Sequence, residues 1–192
     1  MRFVASLPVG FVYVLLVSVG CSSSNDMINP PVADAACSNL PGHGDRFVDC
    51  GNGTVTDTQT HLIWLRDDCP LVSHQDWYAA TDSAGTLAHL EDGECGLSDH
   101  SSAGSWRLPT LTEWQAIVKS SCGPPTIPDK AGTGCYATGT QWASGVRSSF
   151  YWSSSTVLIN PGRAWGVYLL DGSVFSDPNS NRNDVWPVRG GQ

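Results

Sequence analysis

Five histidines, seven cysteines and a sparse set of charges are what this chain offers for chemistry. His43, His61, His74, His89 and His100 are scattered, and none falls in a nucleophile or metal motif. No Cys-x-x-Cys pair or paired His spacing supports a zinc site. The run Ser153-Ser154-Ser155 is no nucleophile elbow. A calcium site needs several carboxylates converging on one cation. The chain has no EF-hand-like loop and no Glu-Pro-Asn triplet, and Asn183-Asp184 is only a faint echo of one. These residues point away from catalysis, and neither a cofactor nor a metal is expected.

Recognition chemistry is better represented. Trp165–Leu170, the turn Asp171-Gly172 and Ser173–Asp177 read as a hairpin with a two-residue type I′ turn. In that register Leu170 opposes Ser173, Leu169 opposes Val174 and Tyr168 opposes Phe175. Side chains alternate between faces, so Trp165, Val167, Leu169 and Val174 share the face expected to be core. The other face carries Gly166, Tyr168, Leu170, Ser173, Phe175 and Asp177. An aromatic cross-strand pair among polar neighbours suits a recognition surface, although such a pair also stabilises a sheet unaided. The loop Asn179-Ser180-Asn181-Arg182-Asn183-Asp184 adds amide and guanidinium hydrogen bonds, from residue types that also form turns by default. The candidate ligand contacts are Tyr168, Leu170, Ser173, Phe175, Asn179, Asn181, Arg182 and Asn183.

The elements that must position this surface are marked by tryptophan. Asn52–Asp57 and Leu62–Leu65 predict a hairpin across Thr58–His61. A first helix is expected over Gln75–Leu87, with Ser73 as N-cap and Asp76 three residues on. A second begins at Thr110, where Glu113 completes a capping box and Leu111, Trp114, Ile117 and Val118 share one face. Cys122-Gly123-Pro124-Pro125 should end it. Strands follow from Tyr151, and Val185–Arg189 closes the chain with Pro187 at an edge or bulge. Trp64, Trp106, Trp114, Trp152 and Trp186 are expected in the core.

Met1-Arg2 followed by the apolar run Phe3–Val19 reads as an export signal over residues 1–20. Ser18-Val19-Gly20-Cys21 is similar to a lipobox, with Ser18 where Leu is usual, so Cys21 is the expected lipidation site; a plain signal peptide is the alternative. Residues 21–45 form a polar tether, and residues 46–192 the body. Setting Cys21 aside leaves six cysteines, which allow many connectivities. Loop economy and the domain pattern favour neighbours: Cys37 with Cys50, Cys69 with Cys95, Cys122 with Cys135. With a net charge of −8 and only Lys119 and Lys130 as lysines, nucleic acid is an unsuitable partner. Membrane contact is expected through the lipid alone.

Several ordered motifs resemble the family named for the C-terminal domain of a Legionella collagen-like surface protein (Lcl). They are Arg46-Phe47 with Gly51-Asn52-Gly53-Thr54-Val55-Thr56-Asp57, Leu62-Ile63-Trp64, Trp106-Arg107-Leu108-Pro109-Thr110 with Glu113-Trp114, Tyr151-Trp152-Ser153-Ser154, and Val185–Gly191. His61 stands where Gly is common in such sequences and would need a left-handed backbone. The resemblance implies an α+β, C-type-lectin-like fold: two helices flanking small antiparallel sheets, with N- and C-terminal strands paired and disulfides as staples. It implies extracellular recognition of a glycan or protein; separately, Ser22 rather than Asp after the cysteine favours an outer-membrane lipoprotein of the cell envelope, with a periplasmic or secreted location as the alternative. A structural envelope component without a soluble ligand is the alternative. The fold is also similar to that of formylglycine-generating enzymes, but no cysteine after Cys135 supplies their reactive pair.

Overall fold

The computed structural model describes Cys37 and residues 44–82 and 84–190. The expected signal, Cys21 and nearly all of the tether lie outside the described residues. The body is mixed α/β, with short helices, three small sheets and three disulfides. The first sheet is antiparallel, in the order β1 (Phe47–Asp49), β2 (Thr54–Asp57), β3 (Leu62–Leu65), β9 (Val188–Gly190). The C-terminal strand joins the N-terminal ones on β3, with Trp64 opposite Val188, while β1 forms the far edge. His61 does take the left-handed conformation in the β2–β3 turn, at φ 59°.

The second helix follows its sequence signals. In α2 (Leu111–Ile117), Thr110 Oγ1 accepts from Glu113 N and Glu113 Oε2 accepts from Thr110 N. Arg107 donates to both Glu113 oxygens at 2.8 and 2.7 Å, and to Gly190 O at 3.0 Å. One guanidinium thus joins the helix start to the C-terminal strand. The helix ends sooner than expected: Val118 is an extended C-cap, and Lys119 N donates to Thr126 O.

The first helix departs further from expectation. Gln75–Asp76 is a two-residue strand, β4, and Asp76 rather than Ser73 is the N-cap, accepting from Ala79 N at 2.9 Å. The helix α1 covers only Trp77–Thr81, and a 3-10 turn follows at Leu87–His89. Asp82 ends it by accepting from Ala84 N, a local bond that competes with helix propagation.

The core is an indole cluster. Trp64 lies edge-on to Trp114 at 5.5 Å, Trp142 at 6.0 Å and Trp186 at 5.2 Å. All five tryptophans expected in the core are buried, and Trp142, in an irregular segment, joins them. The N–H groups also act as stitches: Trp114 donates to Trp152 O, Trp152 to Gln75 O, and Trp186 to Leu65 O. The disulfides join sequence neighbours, Cys37–Cys50, Cys69–Cys95 and Cys122–Cys135. Each closes a short loop, which limits the entropy of the unfolded chain.

Asp57 is the principal buried charge of the first hairpin. Its oxygens accept from Arg46 Nε and Nη2 at 2.8 and 2.7 Å, from Gln59 N, and from Thr60 Oγ1. Burial alone pushes the carboxyl up, but these donors outweigh it and hold it below the usual carboxylate range. A depressed folded value means stability present above the unfolded value of about 3.9 and lost as pH falls through the folded one. Asp57→Asn should cost about 3 kcal/mol or more near neutral pH by stranding Arg46. In urea titrations the gap between wild type and variant should stay constant above about pH 5 and shrink below about pH 4.

Candidate functional site

The candidate surface lies on the third sheet, ordered β5 (Phe150–Thr156), β6 (Arg163–Tyr168), β7 (Ser173–Pro178), with β7 at its edge. The hairpin register differs from expectation: Tyr168 opposes Ser173, Val167 opposes Val174 and Gly166 opposes Phe175. The loop is Leu169–Gly172, four residues rather than two. Leu169 is the cause. It is buried in the core, its N–H donates to Ser149 O, and its carbonyl accepts from Thr126 N and Oγ1, so it cannot pair with Val174. Gly172, at φ 77°, closes the turn by donating to Tyr168 O at 2.8 Å. Pairing slips by two residues along β7, so every side chain keeps its expected face.

The core face is thinner than expected. Val167 and Leu169 are buried, but Trp165 is half-buried and Val174 is exposed. Nothing among the described residues covers β7 at the sheet edge as the core covers β6, and Val174 lies on that uncovered edge.

On the opposite face the aromatics form a ledge. Phe175 stacks on Phe150 with centroids 4.4 Å apart and planes 28° apart, and Tyr168 meets Phe175 edge-on at 6.2 Å. Gly166 makes this possible: a Cβ there would lie 2.3 Å from both Phe150 Cζ and Tyr151 O. Behind Phe150 stands buried Trp152, edge-on at 5.4 Å. Phe175 is 41 % exposed at the solvent end of this row. Leu170 and Ser173 are exposed at the turn.

Asp177 shares the face of Phe175, two residues on. Its carboxylate accepts from Asn181 Nδ2 at 3.0 Å through both oxygens and from Asn183 Nδ2 at 2.8 Å. The amide donors expected to meet a ligand are therefore held by Asp177, leaving the two carboxamide oxygens outside that clasp. Arg182 and Asn183 are not loop residues but strand β8 (Arg182–Asn183), paired with β4, and Arg182 Nε donates to His74 O. Asn179 is no surface contact. It is buried, and its Nδ2 donates to Pro161 O at 3.1 Å. Ser173, Phe175 and Asp177 thus mark a strip of roughly 13 Å, with Tyr168 beside it and Asn181 and Asn183 at its far end, whereas Arg182 is turned to His74 O.

Phe150 and Asp177 are parts of this surface that the candidate residues omitted. Strand alternation places Phe150 on the face of Trp152, and the acid precedes two asparagines by four and six residues. Two further features carry no sequence motif. Asp184 accepts from Arg147 Nη1 at 2.9 Å and from Ser149 Oγ, while Arg147 also binds Asp68 at 2.7 Å. This network neutralises the carboxylate next to Asn183. Among the described residues no group of three His, Cys, Asp or Glu is placed to hold a metal ion. An open groove of about 580 Å³ lies between α1 and the segment before α2, over Leu87, Trp106 and Leu108 with His89 at its rim. It is separate from the ledge.

Gly166→Ala tests the ledge. Its Cβ must displace Phe150, so we expect a loss of about 1–3 kcal/mol by overpacking, read by urea unfolding, with an altered near-ultraviolet dichroism from the Phe150–Phe175 stack.

The candidate residues and the motifs around them fall within one family domain. A comparison with curated proteins found no match. The family model described as the Lcl C-terminal domain matches residues 53–189, from the first hairpin to the closing strand. That span covers well over half of the chain, which belongs to the Lcl C-terminal domain family.

Proposed function

We propose that this chain is an exported, lipid-anchored envelope domain of C-type-lectin-like fold that binds an extracellular ligand, glycan or protein, in adhesion or recognition rather than catalysis. The observation that carries the reading is the aromatic ledge: Phe175 is held exposed by its stack on Phe150. A flat ring fixed from behind offers contact area at little cost in side-chain entropy. Beside it the carboxamide oxygens of Asn181 and Asn183 provide directional acceptors, and the outer guanidinium nitrogens of Arg182, on the strand that carries Asn183, add donors at the margin. Membership of the Lcl C-terminal domain family supports a surface role. Location rests on the apolar run ending in Gly20-Cys21, with Ser22 favouring the outer membrane.

An unbiased glycan and protein ligand screen of the purified domain tests the binding face. Tyr168→Ala/Phe175→Ala should lower affinity for the ligand that emerges by about 2 kcal/mol or more, and Arg182→Ala should lower it by a smaller amount. Full affinity in a folded double variant means that the face is misplaced. For location, wild type should enter the detergent phase on phase separation and Cys21→Ala should remain aqueous. Equal aqueous partitioning of both would sink lipidation.

A further inference from the structure

The connection between β5 and β6 carries two adjacent aliphatic side chains that touch almost nothing. Leu158 and Ile159 are each 95 % exposed, against 54 % for Leu71, the next large aliphatic. Loop tips are ordinarily polar, and a contiguous apolar projection marks a contact surface. This one is built. Asn160 N donates to Val157 O at 2.9 Å, Arg163 N to Asn160 O at 3.0 Å, and Val157 N to Arg163 O at 3.1 Å. Buried Asn179 grips the loop from below, its side chain donating to Pro161 O and its backbone N–H to Gly162 O. A buried polar residue is thus committed to holding this loop in place.

We propose that Leu158 and Ile159 form a bilayer-contacting tip that inserts into the lipid interface and sets the orientation of the domain on its membrane. The tip is convex, so it needs a partner without shape of its own, and fluid acyl chains are one. From Ser148 to Leu170 the sequence contains no Asp or Glu, although the chain has 18 acidic residues, and Arg163 is the one charge. The tip and the two strands behind it therefore meet an anionic headgroup layer without bringing a carboxylate of their own. The turn bonds satisfy several backbone groups internally, which lowers the cost of bringing backbone toward lipid.

The length of chain before the domain fits the same partner. This step rests on the lipid-anchored reading: with Cys21 in the membrane and Cys37 bridged to Cys50, residues 22–36 span at most roughly 50 Å. A leash of that length holds the tip near the bilayer at an effective concentration of about millimolar.

The chain from Ser22 to Gln192 keeps every described residue and lacks the anchor, so it tests the tip alone. With phosphatidylcholine vesicles at several millimolar lipid, wild type should co-sediment, and Leu158→Ser/Ile159→Ser should reduce partitioning by at least about tenfold. Hydrogen exchange over residues 157–162 should slow with vesicles in wild type and not in the variant. Tyr168→Ala/Phe175→Ala should partition as wild type, which separates failure of the tip from failure of the ligand face. Adding phosphatidylglycerol should leave the dependence on the two aliphatics intact. Absence of wild-type sedimentation at this lipid concentration, or equal sedimentation of the serine variant, overturns the proposal. So does lipid-free self-association that the serine variant abolishes, which would assign the tip to a second copy of this chain.

Discussion

The packing of Trp64 against Trp114, Trp142 and Trp186 is the contact on which the other elements depend. These four indoles come from the first hairpin, the second helix, an irregular segment and the approach to the last strand, and no two belong to the same element. Without the cluster, four pieces of chain lose their common partner. Trp64 is fully buried although its own N–H finds no acceptor among the described residues. An orphaned donor costs about 1–3 kcal/mol, so burial of the ring outweighs it. The neighbouring indoles are oriented by hydrogen bonds to carbonyls on other elements, which makes the cluster directional as well as apolar.

That core reaches the candidate surface through one sheet. Tyr151 on β5 leans on Trp114 from the inner face, and burial pushes its phenol well above the ordinary value. Phe150 and Trp152, on either side of it in sequence, face the other way and carry the ledge. Alternation along a single strand therefore couples the best-packed part of the molecule to its exposed aromatics. The ledge inherits rigidity from the core, not from the hairpin turn that lies beside it.

Much of this was legible because local chemistry and tertiary structure agree. Thr110 and Glu113 name a helix start on their own, and Arg107, three residues ahead of Thr110, adds a second bond to the same acid. The left-handed His61 followed from the resemblance, because His stands where Gly is common in such sequences. Cysteine pairing followed from short loops together with the domain pattern. What escaped was whatever a distant segment decides. Leu169 looked like a hairpin strand residue until Ser149 and Thr126 claimed its backbone. Gln75 and Asp76 looked like a helix start, but Arg182 and Asn183 pair with them. Asn179 looked like a ligand contact because Asn is a surface residue by habit, and only the neighbouring Pro161 carbonyl reveals its buried post. Trp142 sits in a stretch without periodicity, so no pattern marked its role.

The position of the closing strand has a bearing on when this protein can become itself. Trp186 fills the centre of the core, Pro187 O accepts from Leu65 N, and Val188 exchanges both backbone bonds with Arg107. Their partners lie up to more than a hundred positions upstream. Contacts of that span form late and slowly. A folding chain therefore holds its first hairpin and its second helix before the piece that joins them docks. Until that strand docks, the two remain unsealed parts of one core. Residues 186–190 act as the latch that ends that state.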